Sequence, residues 1–131
     1  MANEAILRDR MSTPINMACV DGLGMEKGTI LTFSGPRGVK PSASDNNPFA
    51  GILHREKIAG NGKTQCSVLI DGVFDCVFDS AVTQAGDVSI SGPNILKAIT
   101  SLDDEKGYVV GKVLETVTSA GGTMQVLVGR K

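Results

Sequence analysis

The side chains best able to do chemistry in this chain are one histidine, His54, and three cysteines, Cys19, Cys66 and Cys76. A single imidazole cannot build a multi-histidine metal site. The cysteines lack the Cys-x-x-Cys spacing of a zinc site. His54 sits in a strand-like run beside Arg55 and Glu56, where a histidine is ordinarily a structural or surface residue. Gly60-Asn61-Gly62-Lys63-Thr64 ends like a phosphate-binding P-loop. The full motif needs an earlier glycine where Lys57 stands, and a helix after the loop. Gln65-Cys66-Ser67-Val68-Leu69 instead continues as a strand, so the stretch reads as a polar turn. Asp75 and Asp79 fall on the outer face of a strand, and Asp103, Asp104 and Glu105 form a charged turn. Neither group has the ligand spacing of a calcium loop. No catalytic, metal-binding or cofactor-binding set emerges, and the chain is expected not to be an enzyme. A nucleophilic Cys66 or Cys76 is the enzymatic alternative.

Composition narrows the partners. The chain has 131 residues, the length of one domain, and 41% hydrophobic residues, a globular share. Aromatics are only 4%, so the core must be aliphatic. Sixteen glycines along a Val- and Thr-rich chain suggest many turns between short strands. The net charge of −1 leaves no basic excess to neutralise phosphates, which argues against nucleic acid as a partner. No apolar run reaches membrane-span length, and residues 1–12 lack a signal-peptide core. The expectation is a protein that stays in the cytoplasm where it is made, with reduced thiols.

The elements that would position these residues are mostly strands. Residues 1–13 read as an extended N-terminal arm, and 14–131 as a single β-rich domain. Residues 14–20 and 28–33 (GTILTF) are strand candidates. Residues 34–48 (SGPRGVKPSASDNNP) lack periodicity and read as one long loop. Residues 49–55 form another strand. Residues 64–70 and 73–78, joined by Asp71-Gly72, have the signature of a two-residue hairpin. Alternation puts Phe74, Cys76 and Phe78 on one face. In that hairpin register Cys66 and Cys76 lie on opposite faces and do not bond. Residues 88–91 are a further strand. Pro93 followed by Ile95, Leu96, Ile99 and Leu102 at helical spacing predicts a short helix over 93–102. Residues 108–117 and 123–129 form a last hairpin, with Met124, Val126 and Val128 on one face. The fold class is mainly β: a small barrel or sandwich with one short helix and an N-terminal arm.

Several stretches resemble a known family when taken in order. They are Lys27-Gly28-Thr29-Ile30-Leu31, Pro48-Phe49-Ala50-Gly51-Ile52, Asp71-Gly72-Val73-Phe74-Asp75, Ala85-Gly86-Asp87, Val110-Gly111-Lys112-Val113-Leu114-Glu115 and Met124-Gln125-Val126-Leu127-Val128. From about residue 14 onward they resemble the capsid decoration, or cement, proteins of tailed bacteriophages, small β-barrels (β-tulip-like) of the phage head. The start Met1-Ala2-Asn3-Glu4-Ala5 is similar too. The resemblance implies a structural virion protein, assembled in the host bacterial cytoplasm, that binds the outer capsid surface and stabilises the expanded shell. It implies the major capsid protein as partner, a homotrimer on the capsid, and no cofactor. The expected capsid contact is the arm: Ala2, Asn3, Glu4, Ala5, Ile6, Leu7, Arg8 and Arg10, with Ile6 and Leu7 as apolar anchors and the arginines as ion-pair partners. Deleting residues 2–10 is expected to leave folding intact. The 34–48 loop is a second candidate surface. The alternatives are a tail or head–tail connector barrel, the cysteine enzyme above, and a carrier with a ligand in the barrel mouth.

Overall fold

A computed structural model describes residues 3–10, 13–44, 47–82, 84, 86–99, 109–118 and 120–129. Its strands are β1 (Ile6–Asp9), β2 (Ile15–Ala18), β3 (Ile30–Gly35), β4 (Gly38–Pro41), β5 (Phe49–Leu53) and β6 (Gln65–Leu69). They continue with β7 (Gly72–Phe78), β8 (Asp87–Gly92), β9 (Ile95–Ala98), β10 (Val109–Val113) and β11 (Thr123–Val128). The fold is mainly β, and it is built from small barrels. Strands β2-β4-β3-β5-β6 close one barrel. The other sheet runs β1-β7-β11-β10-β8-β9, and a β7–β9 pairing closes it as well. Closure matters because it leaves few unpaired edges.

The two barrels repeat one topology. Read β7 for β2, β8 for β3, β9 for β4, β10 for β5 and β11 for β6, and every pairing carries over, including the parallel closures β2–β4 and β7–β9. The registers agree too. Leu31 pairs with Gly51 in the first barrel, and Val88 with Gly111 in the second. A bulge falls beside each of these pairs. Gly35 pairs with Gly38 after a bulge, and Gly92 with Ile95 after a bulge. Isolated bridges Met25–Lys57 and Val82–Val117 occupy matching places. Hydrogen bonds match as well: His54 N donates to Ser67 O at 2.8 Å, and Leu114 N to Gln125 O at 3.0 Å. The sequence keeps a trace of this, since Ser34-Gly35-Pro36 recurs as Ser91-Gly92-Pro93. The glycine of each Leu31–Gly51-type pair has a steric reason. A Cβ at Gly111 would stand 2.2 Å from Leu127 O, and one at Gly51 2.3 Å from Val68 Cγ1.

Two cores follow. Met17, Met25, Leu31, Val39, Ala50, Leu53, Cys66 and Val68 fill the first barrel. Phe74, Cys76, Phe78, Val88, Ile90, Leu96, Val110, Val126 and Val128 fill the second. Ile30, Ile52 and Leu69 belong to first-barrel strands yet join the second core. Neighbouring residues Ile30 and Leu31, Ile52 and Leu53, and Val68 and Leu69 are therefore all buried. Burial on both strand faces explains the unbroken apolar runs there, and it is the seam that joins the barrels.

Several expectations hold. Phe74, Cys76 and Phe78 alternate inward along β7. Val126 and Val128 point inward on β11, and Met124 packs against the same core. Strands β10 and β11 pair as an antiparallel hairpin. Other expectations need correction. The helix over 93–102 is absent across the described part of that stretch: Ser91 and Gly92 end β8, Pro93-Asn94 make a tight turn, and Ile95–Ala98 is β9. The apolar spacing of Ile95, Leu96 and Ile99 fits a helix, but pairing with β8 and β7 closes the barrel, and that tertiary term wins. The 64–78 hairpin is also absent. Strand β6 pairs with β2 and β5, while β7 pairs with β1, β9 and β11, so Asp71-Gly72 is the corner between barrels. The Cys66 and Cys76 thiols are both free, but not by opposite faces of a hairpin: they lie in different cores. The 34–48 loop contains the β3–β4 turn at Pro36-Arg37 and all of β4, with Val39 buried. The arm does not stand apart from the domain: residues 6–9 are strand β1 of the second sheet. Ala2, residues 100–102 of the helix reading and the 103–107 turn lie outside the described residues.

Candidate functional site: the docked N-terminal strand

Strand β1 lies antiparallel along β7, pairing Ile6 with Asp75 and Leu7 with Phe74. Alternation sorts the predicted contact residues into two groups. Ala5 is buried, its N–H donating to Gly28 O at 2.8 Å, and Leu7 packs against the second core. Asn3, Ile6, Arg8 and Arg10 face outward, with Ile6 56% exposed. Glu4 is half-buried and its Oε2 accepts from Asn94 Nδ2 at 3.5 Å. Arg8 is committed within the chain: its Nε and Nη2 both reach Asp75 Oδ2 at 2.6 Å. That hydrogen bond, and then the charge of Asp75, raise the Arg8 pKa further.

Gly28 makes the docking possible. With φ of +91°, its missing Cβ leaves the space that Ala5 O occupies, 2.2 Å from where a Cβ would sit. Deleting residues 2–10 would therefore strip Ala5 and Leu7 from the core and uncover β7. The expectation that such a deletion leaves folding intact does not suit this geometry.

Beside β1 runs an open groove of ≈ 560 Å³, lined by residues 3–7 together with Lys27, Asp75, Val77 and Thr123. Its chemistry is mixed: aliphatic Ile6 and Val77 among Glu4, Lys27 and Asp75. Among the described residues β1 pairs with β7 on one side and with no strand on the other. An unpaired strand edge is a template for another strand.

The remaining candidates have structural explanations. In the P-loop-like stretch, Gly62 N donates to Asp21 Oδ1 at 2.9 Å and Lys63 N to Asn61 Oδ1 at 3.1 Å. The amides that could cradle a phosphate are already satisfied, and β6 follows rather than a helix. Sequence reasoning missed the group that organises this end. Lys57 is buried, and its Nζ donates to Asp21 O (3.0 Å), Asp21 Oδ1 (3.1 Å), Ile58 O (2.7 Å) and Asn61 Oδ1 (2.9 Å). The Lys57 ammonium, followed by the Gly62 amide, holds the Asp21 carboxyl below its ordinary pKa. The clamp ties two loops that expose Val20, Leu23 and Ile58. The local signal for it was the pair of turn dipeptides, Asp21-Gly22 and Asn61-Gly62; Lys57 itself follows His54-Arg55-Glu56 and reads as one more surface charge.

Asn94 was missed as well. It is buried with φ of +58°, and its Oδ1 accepts from Ile30 N at 2.8 Å, hooking the second barrel's turn onto the first barrel. His54 Nδ1 is buried without a hydrogen-bond partner among the described residues. Burial, and then Arg55, Arg10 and Lys27, lower its pKa. No three of His, Cys, Asp and Glu gather as a metal site among the described residues.

No family model matches the chain, and no curated protein matches it. Among solved structures it is similar to the N base of the head fiber protein gp8.5 of bacteriophage phi29, at 10% identity and a TM-score of 0.56. The match covers 88% of this chain and 92% of the phage chain. At that identity the likeness establishes a shared fold.

Proposed function

We propose that this chain is a non-catalytic structural protein of a tailed-phage virion, bound to the outer surface of the head. The observation that carries the reading is the near full-length likeness to the base of a phage head fiber. The family resemblance in the sequence supports the finer role: a decoration protein that holds the major capsid protein, as a homotrimer, and stabilises the expanded shell. A ligand that binds only the expanded shell stabilises it by mass action. No cofactor, nucleic acid or membrane is needed.

The contact surface we assign is the outward side of β1 and the groove beside it. Ile6 supplies an exposed aliphatic anchor, and the open edge of β1 can add to a capsid sheet, where backbone hydrogen bonds supply affinity. Leu7 and Ala5 serve indirectly, by seating β1. The test is co-sedimentation with expanded, undecorated shells. Saturable binding of the wild-type chain is expected. Ile6→Asp should lose binding by tenfold or more, in order of magnitude, with its melting temperature unchanged. Failure of the wild-type chain to bind competent shells would remove the decoration role.

A second reading follows from the same likeness: a base that anchors a longer appendage to the head. Counting copies per virion separates the two, since a shell coat is present at hundreds of sites and an appendage or connector at fewer.

A further inference from the structure

The first barrel brings two thiols together. Strands β2 and β6 are antiparallel, with Met17 opposite Cys66. Cys19 follows β2, and its N–H donates to Thr64 O at 2.9 Å, so the ladder extends to the pair Cys19 and Thr64. Cys19 and Met17 share a strand face, which sets Cys19 diagonally across from Cys66 on the same side. The Cys66 thiol donates to Met17 O at 3.5 Å, and Cys19 lies near enough to raise its pKa. Both are free, Cys66 buried and Cys19 half-exposed, and both pack in the first core. The second barrel carries Phe78 and Met124 at the matching positions. An aromatic and a thioether there become two small, adjacent thiols here.

We infer that Cys19 and Cys66 are a redox-active dithiol that closes to an intramolecular disulfide between β2 and β6 when a small-molecule disulfide is supplied. The half-exposed Cys19 thiolate attacks one sulfur of the oxidant, such as oxidised glutathione, and releases one thiolate. The Cys66 thiol then loses its proton and attacks Cys19 Sγ, releasing the second thiol. The dithiol loses two electrons and two protons, and one disulfide becomes two thiols. Burial, and then the adjacent Cys19, push the Cys66 thiol up to about 12, so the second step should quicken as pH rises. Cys76 is an internal control: it is fully buried in the other barrel, and burial lifts its thiol to about 12. The cross-link would spread between strands that are 47 positions apart in sequence, from Cys19 to Cys66. A chain passing from a reducing to an oxidising compartment would acquire it without any enzyme.

The folded, reduced chain is incubated with excess oxidised glutathione at pH 7, 8 and 9, alkylated, and mapped with fragment sequencing. The expected product joins the Cys19 and Cys66 peptides, with Cys76 unmodified, at a rate that rises with pH. The melting temperature should increase by roughly 10 °C. Cys66→Ser should stop at glutathione on Cys19, and Cys19→Ser should leave Cys66 unmodified. Wild-type chain that halts at the Cys19 adduct, or that shows no Cys19–Cys66 peptide at any pH, overturns the inference.

Discussion

The two barrels share connectivity and register but are held together differently. The second has an aromatic core built on Phe74 and Phe78, a buried Val117 at its isolated bridge, and β1 laid along β7. Among the described residues the first has no aromatic residue in its buried core, a buried ammonium, Lys57, in the place of Val117, and no added strand. Their loop ends also diverge: exposed Val20, Leu23 and Ile58 stand where the second barrel has Asp79, Ser80 and Thr118. The pairing pattern sets the barrel, and different side-chain chemistry can hold it. What each barrel presents to the outside depends on that chemistry: β1 pairs along the second barrel, while Gly28 and Lys27 of the first help to seat it and line its groove.

The sharpest way to break the comparison is through the cores. Phe74 is fully buried, and its counterpart by register is the half-buried Ile15. Phe74→Ala should cost about 3–5 kcal/mol, and Ile15→Ala about 1–2 kcal/mol, because the larger void has fewer ways to collapse. Denaturant unfolding measures both. Equal costs would mean that the seam residues Ile30, Ile52 and Leu69 make one shared core, with no distinction between the barrels.

The next effect is at the bridge. Lys57→Val copies the second barrel's residue into the first. It leaves Asp21 O, Ile58 O and Asn61 Oδ1 without their cation, and should cost about 2–4 kcal/mol. The polar loops have been built around the ammonium, so the hydrophobic replacement does not rescue them. A neutral result would show that water satisfies the same groups at no cost.

A smaller contrast lies in the two Ser-Gly-Pro turns. Arg37 and Asn94 occupy matching positions, with φ of +51° and +58°. Asn94→Ala orphans Ile30 N in the seam and should cost about 2–3 kcal/mol. Arg37 is exposed, and its Nη2 donates to Asn16 O at 2.8 Å on an outer edge. Arg37→Ala should cost under about 1 kcal/mol. A ratio near one, measured by thermal unfolding, would deny Asn94 its role as the hook between barrels.

Much of this was legible in sequence, for identifiable reasons. The period of two in Phe74, Cys76 and Phe78 and in Met124, Val126 and Val128 is a local signal, and it held. The strand partners were not legible, because register is decided by closure over long sequence separations. Asp71-Gly72 permits a reversal but does not choose between a hairpin and a corner. The missing helix is instructive. Pro93 read alone suits a helix start, yet Ser34-Gly35-Pro36 is an earlier copy of the same turn, and both copies sit between paired strands. Reading the repeat would have replaced the helix with β9. The contact residues of the arm were placed on a free segment because Ile6, Leu7 and their charged neighbours are too few to fold alone. Nothing local in them reveals that Gly28 leaves room for Ala5, which is what docks them.

The smallest expected effect separates the barrels by pH. His54 and Leu114 match by position, each giving its N–H to the neighbouring strand. Burial lowers the folded-state pKa of His54 below its ordinary value of 6.5, so the unfolded chain binds the proton more tightly. Stability should therefore be level above about pH 7 and fall as pH drops through 6.5, levelling again below the depressed folded value. The carboxylate of Asp21 acts in a different window. Its pKa is lowered from 3.8, so its contribution is complete above that value and is lost only as pH falls further. Urea midpoints measured from pH 8 to pH 5 would isolate the histidine. His54→Leu, which writes the second barrel's residue into the first, should flatten the profile between pH 7 and pH 5. If the slope survives that substitution, its origin is not the imidazole, and the first barrel is no more acid-sensitive there than the second.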